Sequence, residues 1–564
     1  MKKIFTIVAM FATLSFSACS DFLEEDARGQ QNLDNYFQSE ADAEDFLTGC
    51  YNAITYHGWW QIENFWILTD MCTDDYWMGN TTQDQSGYLS LAHYQGVGQS
   101  NGTISNFWQY RYKGILRCNI AIERIPQANI LDETKKARLV AEAKFLRAYF
   151  YFELVKNFGG VPVIDGFLLP EEVSGITRST TEEVYQLIEQ DLKDAAAVLP
   201  QRSKYSANDM GRATRGAALG LLGKAQLYQG KFADAKTTLN TVITEGEYSL
   251  MDDFGKVWNI DYENNEESLF EVQNRYDDVY DLGGSMSIVS GNRSGGDQDG
   301  WAWGLPTANL ENAFIEAGDY ERLQWTIIKN GAQEIAGEPD FAALVEKQGN
   351  QNGDGSYAVD PAKHKSARIN RKLYIPLAKR PEHYDQPKVP LNHIILRYGD
   401  VLLMYAEACN ETGDDAAART YLNLIRQRAH LADVTASGSA LRDAIRAERR
   451  LELACEGHRL YDLRRWKNDS GKALICDIMG PGGSFVRWNT NEATADPYEW
   501  ENQYESSDKG ATFQENRDLL FPIPLYEIPF PTELSFRTRD GINGKLLELT
   551  IDCFRTLPFN RYIL

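Results

Sequence analysis

Paired helical stretches separated by short glycine turns constrain the fold of this chain most. Residues 214 to 229 (TRGAALGLLGKAQLYQ) carry Ala217, Ala218, Gly220 and Ala225, and 231 to 243 follow across Gly230. Residues 397 to 411 and 416 to 429 repeat the arrangement across Thr412-Gly413-Asp414. Small residues on a first helix, a glycine turn and an alanine-rich second helix make tetratricopeptide-like units. Such hairpins cannot bury their apolar faces alone and must stack. The spacing predicts further helices over 134–158, ending at Gly159-Gly160, and over 181–199, ending at Pro200. Turns interrupt each pattern before four heptads accumulate, which argues against a coiled coil. The fold class is therefore mostly α: a helical-repeat scaffold with long loop-rich insertions over 58–102, 251–317, 330–390 and 480–518.

The stretch RAERRLELACEGHRLYDLRRW (446–466) interleaves arginines with glutamates. On a helical wheel Leu441, Ala444, Ile445, Leu451 and Cys455 share a face, and Glu448 and Glu452 fall in its middle. Buried carboxylates require cations, and Arg426, Arg428, Arg459, Arg464 and Arg465 are the candidates. Structural ion pairing of Glu448, Glu452, Arg426 and Arg459 is the expectation. A metal or acid–base pair lacks a histidine at ligand spacing, because His458 stands two residues after Glu456. The formal net charge is −24, and basic clusters are mixed with acidic residues, so no nucleic-acid partner is expected.

The chain opens MKKIFTIVAMFATLSFSACS, a basic n-region, a short apolar core and small residues before Cys19. This reads as a lipoprotein signal over 1–18 with Cys19 as the lipidated residue, an ordinary secretory signal cut after Ala18 being the alternative. The remaining seven cysteines are scattered and form no CxxC, which excludes a zinc module and argues against a disulfide framework.

Several motifs together resemble the SusD/RagB family of surface glycan-binding lipoproteins of Bacteroidetes. They are CSDFLEED (19–26), FLRAYFYFELVKNFGGVPVI (145–164), GRATRGAALGLLGKAQLYQGKFADA (211–235), ESLFEVQ (267–273), LRYGDVLLMYAEACNETGD (396–414), YLNLIRQRA (421–429), ERRLELACEGHRLYDLRRW (448–466) and LLFPIP (519–524). The segment after about 525 departs from the family's usual Asn-Pro-rich ending. The resemblance implies a single SusD-like domain over 19–564 with four tetratricopeptide-like units (four helix pairs), its variable ligand-binding region lying roughly at 250–390 and 480–520. It implies a lipid anchor in the outer membrane at the cell surface and a SusC-like TonB-dependent transporter as partner. It implies a glycan ligand, no catalysis and no cofactor.

Sugar rings offer an apolar C–H face to Trp or Tyr and hydroxyls to amides and carboxylates. Aromatics make up 12% of the chain, and two loops place them beside such groups. DDYWMGNTTQDQ (74–85) offers Asp75, Tyr76, Trp77, Asn80 and Gln83. SGGDQDGWAWGLPT (294–307) offers Trp301 and Trp303, on one side if extended, with Asp297 and Asp299 nearby. HGWWQIENFW (57–66) adds Trp59 or Trp60. Trp108 and Trp466 are expected in the interior. GNQNGDGS (349–356) has the alternation of a calcium loop, but Pro361 stands where the closing glutamate belongs; it reads as a glycine-rich turn, with adventitious calcium the alternative and no metal site assigned. Capture of peptides by the same architecture, or glycoside hydrolysis by two carboxylates, are the competing functions.

Overall fold

In the computed structural model the described residues are 33–528, except 56–66, 80–85, 129–131, 169–171, 173–174, 292–299, 330–365, 367, 376–378, 383–386 and 492–507. The helices that build the scaffold are α1 (Glu40–Asn52), α2 (Ser86–His93), α3 (Gly102–Arg124), α4 (Glu133–Phe158), α5 (Thr181–Val198), α6 (Arg215–Tyr228) and α7 (Phe232–Glu245). After them come α8 (Ala308–Ala317), α9 (Tyr320–Thr326), α10 (Tyr398–Glu411), α11 (Asp415–Arg428), α12 (Gly438–Glu452), α13 (Arg459–Arg465) and α14 (Ser484–Asn491). Antiparallel ribbons join β1 (Tyr76–Trp77) to β3 (Leu305–Pro306), β2 (Ser268–Val272) to β6 (His393–Arg397), and β4 (Ile327–Lys329) to β5 (Arg368–Asn370).

The helix starts are written locally. Asp132 accepts the Lys135 N–H to begin α4, and Thr180 with Glu183 forms a capping box on α5. Each helix then packs on its neighbour in the chain: α3 on α4, α4 on α5, α5 on α6 and α6 on α7. The series resumes as α7 meets α10, and α10 meets α11 and α12. Glycines set the closest approaches. A Cβ at Gly114 would stand 2.6 Å from the Phe150 ring, and one at Gly223 would stand 2.5 Å from Leu239. Gly223, not among the small residues predicted to set the approach, brings α6 against α7, whereas Gly220 of the predicted face meets Leu269 and Leu396 of the β2–β6 ribbon.

Three predicted loop stretches hold helices. The stretch 58–102 contains α2, 251–317 contains α8, and 480–518 contains α14. Short helices inside long polar segments lack enough turns to display a 3.6-residue period. The predicted face of α12 also ends early: the helix stops at Glu452, and Cys455 has φ 68°, so it lies on no helix. The chain clusters as one compact unit to Pro524, and Leu525–Leu564 as another, of which only residues 525–528, including the turn Leu525–Glu527, are described.

Candidate functional site

The predicted loops 74–85 and 294–307 do meet. Tyr76 pairs with Pro306 and Trp77 with Leu305 in the β1–β3 ribbon. The Gly304 N–H donates to Met78 O at 2.9 Å, and the Thr307 N–H donates to Asp75 O at 2.9 Å. Asn80, Gln83, Asp299, Trp59 and Cys19, like 349–356, lie outside the described residues.

The side chains of this ribbon correct the predicted platform. Trp77 is 0% exposed, packed 5.8 Å from the Phe485 ring with the buried Lys509 ammonium 5.6 Å from its own ring. Lys509 also donates to Met71 O and Tyr76 O, so it fills the space that a sugar ring would need. Tyr76 is buried and its hydroxyl accepts from Asn370 Nδ2 at 2.7 Å. Asp75 is buried too, taking Arg450 Nη2 at 2.6 Å and Nε at 2.9 Å. A strand flanked by helices and a buried ion pair leaves neither face to solvent, so polar neighbours in sequence gave a misleading sign of exposure.

Trp301 and Trp303 are not side by side on an extended strand. Ala302 between them has φ 58°, which turns the chain and sets the two rings edge to face, 5.0 Å apart. Trp303 is buried, whereas Trp301 is half-buried. Half-buried Tyr88 on α2 completes the group, 5.9 Å from Trp303. Among the described residues, Trp303 Nε1 is buried with no hydrogen-bond acceptor. Leaving such a donor unsatisfied costs about 1–3 kcal/mol, so the aromatic group retains polar capacity. Trp108 and Trp466 are buried, as predicted, and Trp466 donates to Glu407 at 3.0 Å.

A second aromatic feature escaped the sequence reading. Residues 275–282 (RYDDVYDL) form a turn in which Asp277 Oδ1 accepts the Val279 and Tyr280 N–H groups, each at 2.9 Å. Lys388 Nζ donates to Asp278 O at 2.6 Å and ties the turn to its neighbour segment. Tyr280 is 66% exposed beside three aspartates. The alternation of tyrosine with aspartate was the available signal.

Below these loops lies an ionic lattice. Glu448 takes Arg426 Nη1 at 2.6 Å and Arg322 Nη2 at 2.5 Å. Glu452 takes Arg397 at 2.6 Å and Arg322 at 2.9 Å, and also Arg428. Burial pushes the Glu452 carboxyl up, but the Arg428, Arg397 and Arg322 guanidiniums outweigh it and hold the group well below the usual carboxylate range. Arg459 pairs elsewhere than predicted: it donates to Asp74 at 3.0 and 2.8 Å. Arg449, unassigned in the sequence reading, is buried between Asp400 and Asp462 at 2.6 and 2.7 Å. Asp70 accepts the Gly457 and Arg459 N–H groups, and burial, with Asp75 adding to it, raises its pKa to about 7. Among the described residues no cluster of His, Cys, Asp and Glu suits a metal ion, and no helix is long and apolar enough to cross a membrane.

The SusD family pattern matches residues 266–534, and a second pattern, "starch-binding associating with outer membrane", matches residues 21–227. The chain belongs to the SusD family. The SusD-like protein P2 of Formosa agariphila is 27% identical over 555 residues, covering 94% of this chain and 97% of the relative. A solved laminarin-binding SusD-like protein superposes with TM-score 0.68 at 27% identity, covering 87% of this SusD-family chain and 97% of its own. A SusD-like protein from Bacteroides fragilis gives TM-score 0.68 at 26% identity over 88% and 96%. The laminarin-binding relative is named for binding, and none of the three is named for catalysis. The mostly helical class is the SusD fold.

Proposed function

We propose that the protein is a non-catalytic glycan-capture lipoprotein, anchored through Cys19 at the outer-membrane surface, that passes an oligosaccharide to a SusC-like TonB-dependent transporter. The observation that carries this reading is the full-length likeness to a laminarin-binding SusD-like protein at 27% identity. Trp301 and Tyr88 supply partly open rings near the junction of the two loops. Tyr280, rigidly presented among carboxylates, supplies another. An exposed tyrosine loses little conformational freedom on stacking and keeps its hydroxyl for a bridging bond. Affinity electrophoresis through gels containing laminarin, starch and a panel of other polysaccharides tests the proposal. Retardation by at least one polymer, reduced in Trp301→Ala or Tyr280→Ala, is the expected result. Burial of Tyr76, Trp77 and Trp303 favours a second reading, capture of peptides. Retardation by no polymer, together with binding to a peptide mixture, would select it.

A further inference from the structure

The six described cysteines are all free thiols, but two of them face each other. Cys50 on α1 and Cys118 on α3 are both 0% exposed, and after burial the Cys50 thiol is the main neighbour that raises the Cys118 thiol. The two helices pack here, and the residues just before the two cysteines also meet: Arg117 Nη1 donates to Gly49 O at 2.8 Å. The other buried thiols have oxygen neighbours instead. Cys72 donates to Ile67 O at 3.1 Å, Cys409 meets the Tyr405 hydroxyl, and Cys455 meets the Tyr76 hydroxyl. Thiol facing thiol is thus peculiar to one helix contact among the described residues. In a reducing setting such a pair is merely two small apolar side chains. In an oxidising one it is a bond waiting for an oxidant.

We propose that Cys50 and Cys118 form a disulfide when the chain folds in the presence of a disulfide oxidant, clasping α1 to α3. One cysteine thiolate attacks the oxidant disulfide and expels one of its sulfurs as a thiolate. The second cysteine thiolate then attacks the mixed disulfide and expels the other. The protein loses two protons and two electrons, and the oxidant becomes two thiols. Burial raises the Cys118 thiol well above its ordinary pKa, so the packed protein offers almost no thiolate. The exchange therefore belongs to the stage at which α1 docks, while both sulfurs are still wetted. The clasp joins residues far apart in sequence and so removes a long loop from the unfolded ensemble. It acts where α1, whose main packing partners are α3 and α4, meets the stack.

The biological setting rests on the export proposed above; the experiment does not, so the two fail separately. The full chain is refolded from denaturant in a mixture of oxidised and reduced glutathione, the native fraction is isolated and acid-quenched, and it is then unfolded in denaturant with excess alkylating agent and digested without reductant. A linked Cys50–Cys118 peptide is expected, with two alkylated thiols lost relative to a reduced control and with Cys72, Cys409 and Cys455 alkylated. Native chains that yield Cys50 and Cys118 alkylated or glutathionylated, with no linked peptide, overturn the proposal. Chain exported by a host and purified without reductant gives the same readout if refolding from denaturant is poor. Pre-folded reduced chain treated with oxidised glutathione should form the link at least ten-fold more slowly than refolding chain. Equal rates would overturn the assignment of the step to docking.

Discussion

At the scale of single residues, the structure separates two kinds of tryptophan that look alike in sequence. Trp77 is wedged against Phe485 and Lys509, so Trp77→Ala should cost about 3–5 kcal/mol, seen as a lowered denaturant midpoint. Trp301 is half-buried, so Trp301→Ala should weaken glycan retention with a smaller stability loss than Trp77→Ala. Equal stability losses in the two variants would contradict this division. Asp70 makes a pH-dependent prediction. Its pKa is raised from the unfolded value to about 7, so the folded chain holds a proton that the unfolded chain has released. Stability contributed by the protonated form is present at low pH and is lost as pH rises through about 7. Asp70→Asn cannot ionise, so its stability relative to wild type should improve between pH 6 and pH 8 by about 1.4 kcal/mol, one pKa unit. A difference that does not vary with pH would remove this account.

At the scale of elements, α12 ties the insertions to the scaffold. Arg322 on α9 reaches Glu448 and Glu452 at 2.5 and 2.9 Å, and both partners are at most 2% exposed. Removing one member of a buried ion cluster strands the other charges, so Arg322→Ala should cost about 3–5 kcal/mol. Arg322→Ala combined with Glu448→Gln should cost less than the sum of the two single changes, by about 0.5–3 kcal/mol. Urea unfolding of the four proteins checks it, and strict additivity would mean that the pair is not coupled. The helix contacts are equally specific. Gly114→Ala pushes a methyl group into Phe150 on α4 and should destabilise by about 1–3 kcal/mol through overpacking. An unchanged thermal midpoint would show that α3 and α4 can part without cost.

For the whole molecule, the ionic lattice makes acid the sensitive direction. Glu452, Asp400 and Asp74 all have lowered pKa values: burial opposes ionisation, and the neighbouring cations overcome it. Each contributes stability above the unfolded carboxylate pKa of about 4, and loses it as pH falls through the lower folded value. Stability should therefore decline below about pH 4. Added salt should change it little at neutral pH, because buried pairs are poorly screened. A large salt effect at pH 7 would indicate that the lattice is open to water.

The sequence alone determined the family and six of the scaffold helices. Local signals, apolar positions recurring at 3.6 residues and glycine or proline stops, placed α4, α5, α6, α7, α10 and α11 within two residues of their observed ends. The carboxylates of α12 were legible as ion-paired because their position on an apolar face allows little else. Tertiary structure decided which aromatics are covered and which cation meets which acid. Lys509 reaches Trp77 from a segment more than four hundred residues away, and Asp74 takes Arg459 across 385 residues. Exposure and pairing depend on contacts that distant segments make only after folding, and no local pattern encodes them.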